Sequence, residues 1–181
     1  MEITYKKLDT SEEAQKYREI RLECLQKYPQ SFASSYEQQV QLPQLDFEKY
    51  IIANDAAHFV MGAFDQAQLA GITAFAPEPK AKRAHEGSII QVYTKPAYQG
   101  KQIGRNLLYH TIQAAFAISG VEQLIISAVT NNQGALYLYQ NLGFEPYATH
   151  KHYMKTTDGQ YHDATFMYLN KAMFFKHEPS S

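Results

Sequence analysis

The segment VYTKPAYQGKQIGRNLL, residues 92–108, gathers the residue types that hold an anion. A strand-like run, Ser88-Ile-Ile-Gln-Val-Tyr-Thr94, leads into it, and an amphipathic stretch with Ile103, Leu107, Leu108, Ile112, Ala115 and Phe116 on one stripe leads out towards Gly120. A helix that opens straight after a glycine turn presents unpaired main-chain N–H groups, and its dipole favours negative charge there. Gly100 and Gly104 remove side-chain bulk from the turn, while Lys101 and Arg105 add positive charge. The chemistry this suits is the grip of a pyrophosphate. Neither the G-x-G-x-x-G dinucleotide fingerprint nor the G-x-x-x-x-G-K-[ST] nucleotide loop fits the spacing. Taken alone, the same glycines also suit a plain structural turn.

A second segment supplies context. In NNQGALYLYQNLGF, Asn132, Ala135, Leu138, Tyr139, Gly143 and Phe144 follow the pattern N-x-x-A-x-x-L-Y-x-x-x-G-F. Together the two segments resemble the GNAT superfamily of acetyltransferases, which pairs a Q/R-x-x-G-x-G/A pyrophosphate loop with this asparagine-to-tyrosine helix. Gln99, Gln102 and Gly104 occupy the loop positions, and the middle glycine of the pattern is replaced by Gln102, which narrows the approach to one phosphate. The resemblance implies an α+β fold with a mixed, mostly antiparallel sheet, helices on both faces and a splayed central strand pair. It implies acetyl-CoA as cofactor, with Val92, Tyr93 and Thr94 beside the pantetheine arm. Gln99, Gly100, Lys101, Gln102, Ile103, Gly104 and Arg105 would hold the pyrophosphate, and Asn132 would reach the cofactor from the next element. It makes Tyr139 the general acid that protonates the departing thiolate. By composition alone Tyr137 is an equal candidate. The implied activity is transfer of an acetyl group to a primary amine of a small molecule or peptide. The alternatives are a module of the same fold that binds acyl-CoA without turnover, and an interaction domain without cofactor.

The acceptor ammonium must lose a proton before it can attack. Glu86 ranks first as base, with His85, His150, His152 and Asp163 behind it. His150 and His152 share a strand face, yet no third ligand stands at a recognised metal spacing, so no metal is expected. The acceptor is expected against the SFASSYE loop, the second helix and the last strands, with Phe32, Tyr36, Tyr153, Tyr161 and Asp163 as substrate-side candidates. Cys24 falls on a buried helical stripe with Ala14, Tyr17, Arg21, Leu25 and Tyr28, which argues against a nucleophilic cysteine and for direct transfer.

The elements that must position these residues are legible in outline. Residues 2–8 alternate as a strand, and Asp9, Thr10 and Ser11 can cap the helix that Pro29 stops. Gln30–Gln44 reads as a long loop, Leu45–Ala53 as a helix, and Ala57–Phe64 with Ala67–Ala76 as a hairpin turning at Asp65 and Gln66. Leu124–Val129 is a strand, residue 133 to Leu142 a helix ended by Gly143, and Phe144–Met154 with Tyr161–Leu169 a final strand pair. The strand before the glycine turn and the strand after its helix should be parallel neighbours.

The chain has 181 residues, 45% of them hydrophobic, which suits one domain over residues 1–175 with a flexible tail over 176–181. Seventeen Lys plus Arg against eighteen Asp plus Glu give a net charge of -1, and no broad attraction to nucleic acid or anionic membranes is expected. The N-terminus lacks a signal-like apolar stretch and Cys24 is the sole cysteine, so the expected location is the cytoplasm. The family resemblance makes a homodimer reasonable.

Overall fold

The computed structural model describes residues 2–176. The expected tail falls outside the described residues except for Lys176, which closes the last helix. The chain opens with β1 (Ile3–Lys7) and α1 (Ser11–Lys27). The Thr10 hydroxyl accepts the Glu13 N–H at 3.2 Å to start α1, and Pro29, which cannot continue the helix, begins a short 3₁₀ turn over Pro29–Ser31. The segment expected to be loop contains a further helix, α2 (Tyr36–Gln39), because the Ser35 hydroxyl caps it by accepting the Gln38 N–H at 3.2 Å. Helix α3 (Asp46–Ala53) follows.

The hairpin is β2 (Phe59–Asp65) and β3 (Gln68–Pro77). Its turn is Gln66–Ala67, one residue later than expected, because Asp65 still pairs with Gln68 and Gln66 takes the left-handed conformation with φ 54°. Next come β4 (Glu86–Thr94), α4 (Ile103–Phe116), β5 (Gln123–Val129), α5 (Gln133–Gln140), β6 (Glu145–Lys155), β7 (Tyr161–Asn170) and α6 (Lys171–Lys176). Helix α4 stops at Phe116, short of Gly120, whose φ of 85° serves the turn into β5 instead. Helix α6 was not legible; the Asn170 side chain accepts the Met173 N–H at 2.9 Å and Phe174 packs on Phe116 at 5.8 Å between ring centres.

The seven strands form one sheet in the order β1-β2-β3-β4-β5-β7-β6. Among the described residues only β4 and β5 are parallel, and their pairing covers just Glu86–Ser88 against Gln123–Ile125. Helices α1 and α3 pack with Val60, Leu69, Ile72 and Tyr93 on one face. On the other, α4, α5 and Phe174 of α6 pack with Phe75, Ile89, Leu124 and Ile126.

The sheet splits beyond Ser88, and the cause is local. Ile72 pairs with Tyr93 and Ala74 with Ile90, so Gln91 and Val92 together oppose Thr73 in a bulge, with Gln91 at φ 58°. A bulge sharpens strand twist and turns the following residues away from their neighbour. The buried Tyr17 of α1 donates its hydroxyl proton to Gln91 Oε1 at 2.8 Å, fixing the bulge from behind. Meanwhile β5 stays paired with β7 over its whole length, from Gln123–Asn170 to Val129–Ala164. The sheet therefore opens as a V between β4 and β5.

Candidate acyl-CoA site and acceptor cleft

The V holds a cleft of about 490 Å³. Its walls are the diverging ends of β4 (Ile89–Thr94) and β5 (Ser127–Val129), with Asn132, Ala135, Leu138 and Tyr139 from the α5 side. The far end is closed by Arg21, Tyr28 and the Ser31–Ser34 loop from one side and by Tyr153 and Met154 of β6 from the other.

At the open end of β4 the chain makes a 3₁₀ turn over Pro96–Tyr98 and enters α4 through Gln99–Gln102. Main-chain N–H groups from Gly100 through Arg105 have no acceptor among the described residues, and no side chain caps the helix. Gly100 has φ 73° and Gln102 φ 59°, so the turn carries two left-handed residues immediately before α4. A Cβ at Gly104 would come within 3.1 Å of Thr94 Oγ1, so glycine there lets the helix start press against the end of β4. Lys101 is tied to the Ala97 carbonyl at 3.0 Å, whereas Arg105 is exposed with no partner among the described residues. Free donors, a helix N-terminus and an unpaired cation form a donor set that fits a diphosphate.

The sequence-chosen residues distribute unevenly. Val92, Tyr93, Thr94, Gln99, Asn132 and Tyr139 line the cleft, whereas Gly100–Arg105 follow directly on Gln99 in the chain without being among the lining residues. The Gln99 side-chain amide donates to the Thr94 carbonyl at 3.1 Å, joining loop to strand. Asn132 caps α5 by accepting the Ala135 N–H at 3.2 Å through Oδ1. Tyr139 is 4% exposed, and its hydroxyl has no hydrogen-bond partner among the described residues. Burial pushes its phenol well above the ordinary range.

Glu86 is not brought to this cleft. It lies at the closed end of the V, opposite Gln123, and its carboxylate is held by Arg83 at 2.8 Å. His85 lies beside it, with Nε2 3.6 Å from a Glu86 oxygen. Of the substrate-side candidates, Phe32 and Tyr153 line the cleft, but Tyr36, Tyr161 and Asp163 do not. Asp163 accepts from Lys151 at 2.8 Å and from the His152 N–H at 2.8 Å, and these contacts hold its carboxyl below the usual range. His152 stacks on Tyr161 at 4.6 Å, and His150 lies edge-on to Tyr153 at 5.2 Å. Cys24 is fully buried and burial raises its thiol, as its place on the helical stripe implied. Among the lining residues not anticipated as site residues are Arg21, Tyr28 and Gln91. A signal for Arg21 did exist, since it interrupts an otherwise largely apolar stripe.

A mixed sheet split at the one parallel strand pair among the described residues, with a glycine turn and an uncapped helix start following the first of those strands, is the acyl-CoA N-acyltransferase fold. The family model described as Acetyltransferase (GNAT) family matches residues 15–144, and the chain belongs to that family. Among curated relatives, it is 34% identical over 88 residues to the [Ribosomal protein bS18]-alanine N-acetyltransferase of Escherichia coli K12, covering 49% of this chain and 58% of that one. It is 37% identical over 78 residues to the L-amino acid N-acyltransferase MnaT of the same strain, covering 43% and 44%. The chain thus matches 58% of the length of the first of these relatives and 44% of the second. Among solved structures, a GNAT-family acetyltransferase from Streptococcus pneumoniae superimposes with a TM-score of 0.80 at 20% identity, covering 93% of this chain and 99% of that one. The yncA protein of Salmonella typhimurium, solved with its cofactor acetyl-CoA, superimposes with a TM-score of 0.77 at 19% identity, covering 94% of each. At such identities these likenesses show the fold.

Proposed function

We propose that the chain is an N-acetyltransferase that uses acetyl-CoA and passes the acetyl group directly to a primary amine of a small molecule or peptide. The observation that carries this reading is the placement of Tyr139, a buried phenol that lines the cleft between the split strands with its hydroxyl unengaged. Bound acetyl-CoA supplies the activated carbonyl carbon. The N–H groups of Gly100–Arg105 hold the diphosphate, and the unpaired edge of β4 beyond Ser88 offers main-chain groups to the pantetheine arm as an added strand would.

Tyr139 keeps its proton in the resting site and gives it to the sulfur as the C–N bond forms and the C–S bond breaks. Donation from a phenol of ordinary pKa ~10 to a thiolate of ~8.5 is uphill by about 2 kcal/mol, and burial enlarges that gap. Proton transfer therefore accompanies C–S cleavage instead of preceding it. No Asp, Glu or His is among the described residues that line the cleft, so the ammonium proton leaves through water.

Replacing Tyr139 with Phe tests this reading. Stopped thiol-release assays should show kcat lowered about 100-fold or more, the usual range for a lost general acid, while calorimetric affinity for CoA changes less than about threefold. An unchanged kcat removes Tyr139 as the acid, and CoA binding without thiol release on any amine identifies a non-catalytic module.

A further inference from the structure

Arg21 of α1 is 4% exposed and lines the acceptor end of the cleft. A guanidinium carries five N–H donors, and burial is costly unless they and the charge are matched. Here they are not. Nε is buried with no hydrogen-bond partner. One terminal nitrogen reaches only the Cys24 sulfur, at 3.6 Å, and the plane lies over the Phe32 ring at 5.2 Å from its centre. No carboxylate oxygen among the described residues lies within 4.0 Å of it. The neighbouring carboxylates are committed elsewhere: Glu48 to Arg18 at 2.9 Å, and Glu23 to Lys27 and the Tyr93 hydroxyl, both at 2.9 Å. Among the described lining residues, Arg21 is the only Asp, Glu, Lys, Arg or His.

A forked donor whose charge the protein leaves unmatched, at the wall of a cleft, suits a planar oxyanion delivered by the ligand. Resting on the transferase reading above, we infer that Arg21 receives a carboxylate of the acceptor, so that the acceptor is an amine bearing its own carboxylate, an amino acid or close analogue. The same unmatched charge repels polycationic amines, and no acidic side chain in the lining offsets it. Tyr28, Phe32 and Tyr153 around the same end favour an apolar side chain on that amino acid.

The test compares acceptors that differ only at the carboxylate: L-methionine against L-methioninamide, and L-phenylalanine against L-phenylalaninamide, with rates corrected for the fraction of free amine. The wild-type chain should prefer the carboxylate by about 10-fold or more in kcat/KM, mostly through KM. Arg21→Gln should bring that ratio to within about threefold of one, and Arg21→Lys should keep part of it. Transfer to both members of each pair at equal rates in the wild-type chain overturns the inference and leaves the transferase reading standing. If no probe is acetylated, calorimetry on the CoA-bound chain decides the Arg21 site: selective binding of the free amino acid supports it, and equal or absent binding sinks it. The wild-type comparison stands even if a variant fails to fold.

Discussion

Tyr137 and Tyr139 lie two residues apart on α5 and end in opposite surroundings, 67% and 4% exposed. A helix turns about 200° over two residues, so only one of them can face the sheet. Composition does not separate them; the spacing from Asn132 to Gly143 does, because it fixes which face the cap and the stop present. The pH dependence follows from this site. Burial raises the Tyr139 phenol, which moves loss of its proton to higher pH, so it imposes no falling limb on kcat/KM below about pH 10. With no carboxylate or imidazole among the described lining residues, the rising limb should follow the acceptor. An α-amine of pKa ~8 and a lysine-like amine of ~10.4 should give limbs about 2 units apart. A limb fixed at one pH for both acceptors would instead reveal a protein base. Glu86 ranks first as base in the sequence alone, because its removal from the cleft depends on where the β4–β5 pairing stops and on Arg83, which ends the 3₁₀ turn over Ala81–Arg83 and pairs with it.

At the scale of the element, the phosphate turn was legible and its strain was not. Gly100 and Gly104 announce a turn before a helix, but the left-handed residue at the start of α4 is Gln102, where the family pattern has glycine. A side chain in that conformation costs roughly 1–2 kcal/mol, against a smaller backbone-entropy advantage over glycine in the unfolded chain. Gln102→Gly should therefore raise unfolding free energy by about 0.5–1 kcal/mol in urea titrations, and also tighten CoA binding by clearing the turn. Lower stability would mean that the Gln102 side chain supports the loop. Helices α2 and α6 escaped the sequence reading because each is short and is started by a single side-chain cap, from Ser35 and from Asn170 respectively. The longer elements were found because capping and apolar periodicity agreed over several turns.

Across the whole molecule, the fold is organised around one separation. β5 remains with β7 and β4 with β3, so neither can close the gap that the Gln91 bulge opens, and both helical layers contribute walls to it. The parallel β4–β5 neighbours were legible from strand, turn, helix and strand in succession. The bulge was not, because nothing in Gln91 itself marks a positive φ, and its partner Tyr17 lies 74 residues away. The acceptor end was read least well for the same reason. It is assembled from α1, the loop after it and β6, whose juxtaposition depends on the finished sheet. The most direct measurement is an amide ¹H–¹⁵N titration of the chain with acetyl-CoA. The largest shifts should fall on the main-chain amides of Gly100–Arg105, with a second group along Val92–Thr94. Saturable binding that leaves Gly100–Arg105 unperturbed would contradict this placement of acetyl-CoA.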